Sequence, residues 1–174
     1  MLRKKLLLIG LGFILLIVGC HNFSTDPQEV DDIKTEALYF SLQVIGSIID
    51  QDIVTFKTFF LDSIYTLDGD GQFPILESNI EEIFNTTLYH SGIDSNTTMN
   101  DYYSNYTSTT STYDEAKEYF IKKHDYELPQ FDWITSNDYF YIAEITGSKI
   151  IWDDWNIFLV SKINNKWWLK AASG

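Results

Sequence analysis

The sequence predicts a single α+β domain that follows a short N-terminal segment of different character. Apolar residues recur at helical spacing through most of the chain before Pro129, and capping motifs start several of these stretches. After Pro129, aromatic and β-branched runs alternate with short polar turns, as in an antiparallel sheet. Helices followed by antiparallel strands are the order typical of the α+β class.

Two helices are predicted at the start of the domain. The run Asp26-Pro27-Gln28-Glu29 is a strong helix start, because aspartate can cap, proline suits the first helical position and glutamate completes a capping box. Apolar spacing carries this helix to about Ile49. Asp50-Gln51-Asp52 predicts a break with a new cap, after which an aromatic-faced helix is expected through Ile64.

The middle of the chain predicts two more helices around a loop. Residues 78–81 (Ser-Asn-Ile-Glu) form a capping box and predict a short helix through Phe84. Residues 91–112 are rich in Ser, Thr, Asn and Tyr without apolar periodicity, which predicts a long loop. Residues 112–115 (Thr-Tyr-Asp-Glu) form another capping box, and a helix through Ile121 is expected after it.

The last third of the chain predicts the sheet. The strand candidates are aromatic or β-branched runs at 131–134, 139–146, 150–163 and 167–171. Asn164-Asn165 predicts a tight hairpin, since asparagine tolerates positive φ. Trp167 and Trp168 are adjacent in a strand and must face opposite sides. One ring is therefore expected outside the main core, either in a homodimer interface through the sheet or in a pocket for a small apolar ligand.

Two motifs resemble those of the NTF2-like superfamily. Residues 49–56 (Ile-Asp-Gln-Asp-Ile-Val-Thr-Phe) are similar to the stretch that joins its first helices, and residues 158–169 are similar to its closing hairpin. The resemblance implies N-terminal helices packed on a curved antiparallel sheet, with a pocket at the wide end. Some members are isomerases or dehydratases, and others bind ligands or pair with proteins, so the fold does not settle the function.

The resemblance does not select a catalytic residue. Enzymatic members place an acidic residue or a His/Asp pair in the pocket. The acidic candidates by location are Asp132, Asp138, Glu144, Asp153 and Asp154. Because none of them stands out, neither a catalytic residue nor a cofactor is predicted.

The first twenty residues have the layout of a secretory signal. Arg3-Lys4-Lys5 is positively charged, Leu6–Val18 is apolar, and Gly19-Cys20 closes the run. Ile17-Val18-Gly19-Cys20 resembles the lipobox of bacterial lipoproteins, which implies cleavage before Cys20 and acylation of its thiol with diacylglycerol. The alternative is an uncleaved anchor, but the apolar run of 14 residues to Gly19 is shorter than the ~20 that a spanning helix needs.

These features divide the chain into a cleaved signal at 1–19, a lipidated tether at 20–25 and one domain at 26–174. We expect the domain to be held by lipid on the extracytoplasmic side of a cell membrane or outer membrane. Cleavage removes three of the twelve basic residues and none of the 25 acidic ones, so the net charge changes from −13 to −16. A charge this negative disfavours nucleic acid as a partner.

Residues 66–77 can be laid over a calcium-binding EF-hand loop. Asp68, Asp70 and Glu77 fall at positions 3, 5 and 12, and Gly71 falls at the turn. Threonine at position 1 and proline at position 9 depart from the pattern. The favoured alternative is a β-hairpin that turns at Asp68–Gly71, so no metal site is committed. The three histidines, His21, His90 and His124, show no ligand spacing either.

The sequence therefore favours a membrane-anchored, non-enzymatic domain that binds a ligand or a protein. The alternative is an NTF2-like enzyme that uses acid/base chemistry in a small apolar pocket, and a third hypothesis is calcium binding at 66–77. Cys20 is the chain's single cysteine. Once it carries lipid, no thiol remains for a disulfide, a nucleophile or a sulfur-ligated metal.

Overall fold

The structure, a computed structural model, describes residues 27–67, 72–74, 76–91, 95–145 and 157–172. Five helices lie within these ranges: α1 Pro27–Ile49, α2 Ile53–Lys57, α3 Glu77–Ser91, α4 Met99–Asn105 and α5 Tyr113–His124. Six strands accompany them: β1 Phe60–Thr66, β2 Gln72–Pro74, β3 Tyr106–Ser111, β4 Asp138–Ile145, β5 Ile157–Ile163 and β6 Lys166–Ala172. The α+β class predicted from the sequence is confirmed.

The strands form one open sheet in the order β2-β1-β6-β5-β4-β3. All neighbouring strands are antiparallel except β1 and β6, which run parallel. The sheet is therefore mixed, and its antiparallel part consists of β3 to β6. This architecture is consistent with an NTF2-like class. None of the helices in the described ranges is long and apolar enough to span a membrane.

The central strands are covered on both faces. On the first face, Tyr141, Phe158 and Leu169 share a core with side chains of α1 to α4. On the second face, Phe140, Leu159 and Ala171 pack with α5 and residues 128–134. Burial on both faces explains why β5 is buried at five successive positions, 157–161, where a one-sided strand would alternate.

Two of the predicted helix caps are confirmed. α1 ends at Ile49, and the Asp52 side chain caps α2 by accepting hydrogen bonds from the amides of Val54 and Thr55. Thr112 and Glu115 form the predicted capping box of α5. The helix predicted to start with the capping box at 78–81 and to run through Phe84 instead starts at Glu77 and runs on to Ser91, so Ser78 lies inside the helix and is not its cap. The caps at Asp52 and Thr112 form as predicted because each accepts hydrogen bonds from backbone amides that the first helical turn leaves unbonded.

The second helix ends earlier than predicted. α2 stops at Lys57, and residues from Phe60 onward form β1, which pairs with β2 and β6. Phe60 and Ile64 belong to the same core. Residues four apart share a face in a strand as well as in a helix, so their spacing could not distinguish the two. The hairpin alternative for this region is confirmed by the β1–β2 pairing.

The long loop predicted at 91–112 is wrong over most of its length. Thr98 and Asp101 form a capping box that starts α4, a signal that the sequence carried and that was missed. β3 follows, with half-buried residues at Tyr106, Ser108 and Thr110 and exposed residues between them for its first five positions. Because the half-buried positions hold serine and threonine, the strand period does not appear in hydropathy.

The strand predicted at 131–134 is also wrong. These residues form a turn and irregular backbone before β4. Phe131 is buried, and the Trp133 ring stacks on Tyr65 at 4.1 Å between centroids and 10° between planes. The aromatic side chains therefore cover the second face of the sheet without joining it. Of the strand predicted at 150–163, residues 150–156 lie outside the described residues.

The β5–β6 turn confirms the Asn164-Asn165 hairpin. Both residues have positive φ, 51° and 61°, as a two-residue type I′ turn requires. Trp167 packs against the first-face core, while Trp168 pairs with Ser161. Ser161 also pairs with Asp138, which lies on the second face like Phe140 two residues further along β4. Trp168 is therefore on the second face and Trp167 on the first, so the two rings point to opposite sides as expected.

Substitution of Asn165 tests the turn. Asn165→Val should lower the free energy of unfolding by about 1–2 kcal/mol, because a β-branched residue is strained in the left-handed region. Asn165→Gly is the matched control, and it should leave stability unchanged or slightly higher. Urea unfolding of both variants measures the effect. Equal stability of the valine and glycine variants would contradict the turn geometry.

Candidate functional site

The predicted site residues are scattered. Cys20, Asp68, Asp70, Asp153 and Asp154 lie outside the described residues, as does His21. Glu77 and His90 belong to α3, but their side chains are not described. Asp132 is exposed in the irregular segment before β4. Asp138 and Glu144 remain, and both lie on β4.

Asp138 forms a buried ion pair with Lys170. The ammonium of Lys170 lies 2.5 Å from Oδ2 of Asp138, with the two side chains 13% and 0% exposed. The same oxygen accepts hydrogen bonds from the amide and hydroxyl of Thr135, at 2.6 and 3.1 Å. Oδ1 has no hydrogen-bond partner in the described part of the chain. One carboxylate oxygen thus holds the turn and the lysine together.

A β-bulge places Lys170 at this carboxylate. Leu169 and Ala171 pair with adjacent residues of β5, so Lys170 is the extra residue on β6. Its ammonium also donates to the carbonyl of Trp133 at 2.9 Å. The rings of Trp133 and Tyr65 lie 5.7 and 6.0 Å from the ammonium. Lysine is thereby enclosed by an anion, a carbonyl and two aromatic rings, which compensate for its lost hydration.

This arrangement favours positioning over acid/base chemistry. A catalytic base must reach the proton it removes. Oδ2 of Asp138 is occupied by three donors and Oδ1 is buried, while Lys170 ties β6 to the segment before β4. Nearby, the Lys162 amide donates to the Asn137 carbonyl, which joins the same segment to β5. The ion pair is therefore a clamp that joins β4 to β6 across the intervening strand β5.

A second polar cluster lies in the first-face core. The hydroxyls of Tyr102 and Tyr141 are 2.5 Å apart, and the Ser108 hydroxyl lies 2.8 Å from that of Tyr141. Tyr141 stacks on Phe158 and Tyr102 stacks on Tyr106. The cluster joins α4, β3 and β4 through hydroxyls that would otherwise be buried without partners.

Burial keeps both phenols neutral. Desolvation raises the pKa of Tyr102 to about 12, against the weaker opposing effect of its hydrogen bond with Tyr141. Desolvation raises the pKa of Tyr141 further, and the neighbouring phenol of Tyr102 adds to the increase. At neutral pH the pair can donate and accept hydrogen bonds, but it cannot act as a base.

Two titratable groups lie near the end of α5. Burial raises the pKa of Glu144, whose carboxylate contacts the ammonium of Lys123. Desolvation, with a smaller contribution from the charge of Lys123, lowers the pKa of His124. The His124 ring packs against Tyr119 and Phe120. His124 thus serves the aromatic packing at the helix end.

The described part of the chain offers no metal centre. Within those ranges, no three His, Cys, Asp or Glu side chains lie close enough together to hold an ion. The segment before the candidate calcium loop is the strand β1, whereas an EF-hand has a helix at that place. Asp68 and Asp70 themselves are not described.

Comparison of the chain with protein families, with curated proteins and with solved structures gives no match. The functional argument therefore rests on the residues of this chain. Sequence reasoning identified Asp138 as a candidate by location but missed its partner Lys170 and the cluster of Tyr102, Ser108 and Tyr141. The spacing of these partners, 32 residues for the ion pair and 39 for the phenols, leaves no local signal.

The ion pair can be tested by removing the lysine. Lys170→Met should lower the free energy of unfolding by about 3–5 kcal/mol, because it leaves the Asp138 carboxylate buried without its cation. The double variant Asp138→Asn/Lys170→Met should lose less, because no charge remains buried. The matched control is Lys122→Met, which breaks an exposed pair with Glu118 and should change nothing measurable. A Lys170→Met protein as stable as the control would contradict the clamp.

The tyrosine cluster has its own test. Tyr141→Phe should lower the free energy of unfolding by about 1–3 kcal/mol, because it leaves the buried hydroxyl of Tyr102 without its partner. A double-mutant cycle with Tyr102→Phe should show coupling, since the second change removes the group left unpaired. The control is Tyr39→Phe, at a ring that is 65% exposed. Additive losses in urea unfolding would show that the hydroxyls do not interact.

Proposed function

We propose that this protein is a lipid-anchored, extracytoplasmic binding protein whose α+β domain is held at a membrane through Cys20. The single observation that carries the proposal is the N-terminal sequence: three basic residues, an apolar run and Ile17-Val18-Gly19-Cys20. Two or more acyl chains hold a protein stably, whereas one binds only marginally. The lipid on Cys20 is therefore the membrane partner.

The binding role is supported by how the buried polar groups are used. Asp138 is bonded to Lys170 and Thr135, and Tyr102 is bonded to Tyr141. Each of these groups serves an internal contact. The first-face core holds aromatic side chains of the chain itself, including Phe56, Tyr141 and Phe158. These observations favour recognition at a surface over acid/base catalysis in an apolar pocket.

The charge of the proposed mature chain narrows the kind of partner. Its net charge of −16 follows from the composition once residues 1–19 are removed. Most basic residues in the described ranges are already paired with carboxylates, among them Lys34 with Glu115 and Lys162 with Glu36. We infer that a binding partner is neutral or basic at its contact surface, since polyanions would be repelled.

Mass spectrometry of the full protein purified from membranes tests the anchor. The expected species begins at Cys20 and carries a diacylglycerol on its thiol. Cys20→Ser should abolish the modification and move the protein out of the membrane fraction. Ser24→Ala is the matched control in the adjacent tether, and it should behave like the unmodified chain. A free thiol at Cys20 with residues 1–19 retained would overturn the proposal.

A further inference from the structure

Among the strands of the described residues, β3 is the last on one side of the sheet, with β4 as its neighbour. Its six residues pair with β4 in a continuous register, from Tyr106 opposite Ile145 to Ser111 opposite Phe140. The pairing of β3 with β4 thus has no register shift, unlike that of β6 with β5, which a bulge interrupts. Such an edge carries a row of backbone donors and acceptors that a further strand can bond.

The outward backbone groups of β3 can be identified. The Tyr106 amide donates to the Tyr102 carbonyl, so it does not face β4. Backbone groups alternate along an antiparallel strand, so Ser108 and Thr110 have the same orientation as Tyr106 and turn their amides and carbonyls to the outer edge. No hydrogen bond joins the backbone groups of Ser108 and Thr110 to an element beyond this edge within the described ranges.

The side chains fix this edge in place. The Ser108 hydroxyl lies 2.8 Å from that of Tyr141, and the Thr110 hydroxyl donates to the Lys34 carbonyl of α1 at 2.8 Å. The side chain of Thr109 lies on the opposite, exposed side. The strand is therefore anchored from its first face, which leaves its edge ordered and ready to pair.

The charge pattern indicates a second copy as the occupant. In natural proteins, a lysine, a proline or a bulge in an edge strand prevents that strand from pairing with another chain. The twelve residues from Tyr102 to Tyr113 contain no charged residue and no proline, although Asp101 and Asp114 flank them. Two copies of a chain with net charge −13 repel each other over most of their surfaces. A neutral edge is where like chains can meet, and antiparallel pairing of one strand with itself satisfies two-fold symmetry.

We propose that a second copy of this chain pairs with β3 edge to edge, about a two-fold axis at Thr109, so that the two sheets become continuous. In this register Ser108 lies opposite the partner's Thr110, and the outward backbone groups of both strands bond each other. Thr109 lies opposite the partner's Thr109, a favourable cross-strand pair. The exposed ring of Tyr103 adds apolar area next to the strand.

A six-residue edge buries less than a standard interface, so the dimer is weak. Sedimentation of the full chain in detergent at roughly 10 to 200 μM covers the range expected of such an interface. Thr109→Lys should raise the dissociation constant at least about tenfold, since it places two ammonium groups directly opposite each other. The added lysines reduce the net negative charge, so general repulsion between copies cannot cause that loss.

Two matched variants control for other effects. Thr109→Val keeps a β-branched side chain and should dimerise as the unmodified chain does. Asn79→Lys makes the same charge change at an exposed position of α3 and should also dimerise. Independently, Thr109→Cys should form an intermolecular disulfide in membranes, whereas Asn79→Cys should not. Because both cysteine variants retain Cys20, cross-links through that residue would appear in both.

Three results would overturn the proposal. The unmodified chain sediments as a monomer over the whole range, Thr109→Lys dimerises as tightly as the unmodified chain, or Thr109→Cys cross-links mainly to a different protein. The last result would assign the edge to another partner. These outcomes do not depend on lipidation of Cys20, so failure of the dimer and failure of the anchor are distinguishable.

Discussion

Burial of the central strands on both faces is the constraint from which the rest of the structure follows. β4 and β5 are enclosed by α1 to α4 on one side and by α5 with residues 128–134 on the other. Polar groups buried in these strands are stabilised by partners inside the protein, although Oδ1 of Asp138 and Oε1 of Glu144 have none in the described ranges. The two clusters, Tyr102 with Tyr141 and Asp138 with Lys170, are the solutions on the first and second faces.

Most lysines of the described ranges are neutralised by nearby carboxylates. Seven lysines in the described ranges lie within ion-pair distance of a carboxylate, and Lys166 lies 3.9 Å from the Trp168 ring centre. Because acidic residues outnumber basic ones by 25 to 12, this pairing leaves an excess of carboxylates at the surface. A surface of that kind keeps copies apart except where the chain is neutral. The uncharged edge strand β3 is therefore a place where two copies can approach without charge repulsion.

The sequence was informative where one local interaction decides the structure. The caps at Asp52 and Thr112 and the Asn164-Asn165 turn each satisfy a local backbone requirement, and all three appear as expected. It was uninformative where two structures share a spacing. Phe60 and Ile64 point to one core in a helix or in a strand, and only the pairing of β1 with β6 decides between them. Cys20 lies outside the described residues, so the anchor signal remains a prediction from the sequence.

The candidate sites lie where the strand period is hidden or broken. Lys170 reaches Asp138 because a bulge adds one residue to β6, and no hydrophobic pattern announces a bulge. β3 escapes notice because its half-buried positions are filled by hydroxyl side chains that bond Tyr141 and the α1 backbone. Regular alternation identifies strands whose role is to pack. In this sheet, the positions that depart from alternation make long-range polar contacts. The bulge of β6 brings Lys170 to Asp138, and the hydroxyl side chains of β3 bond Tyr141 and α1.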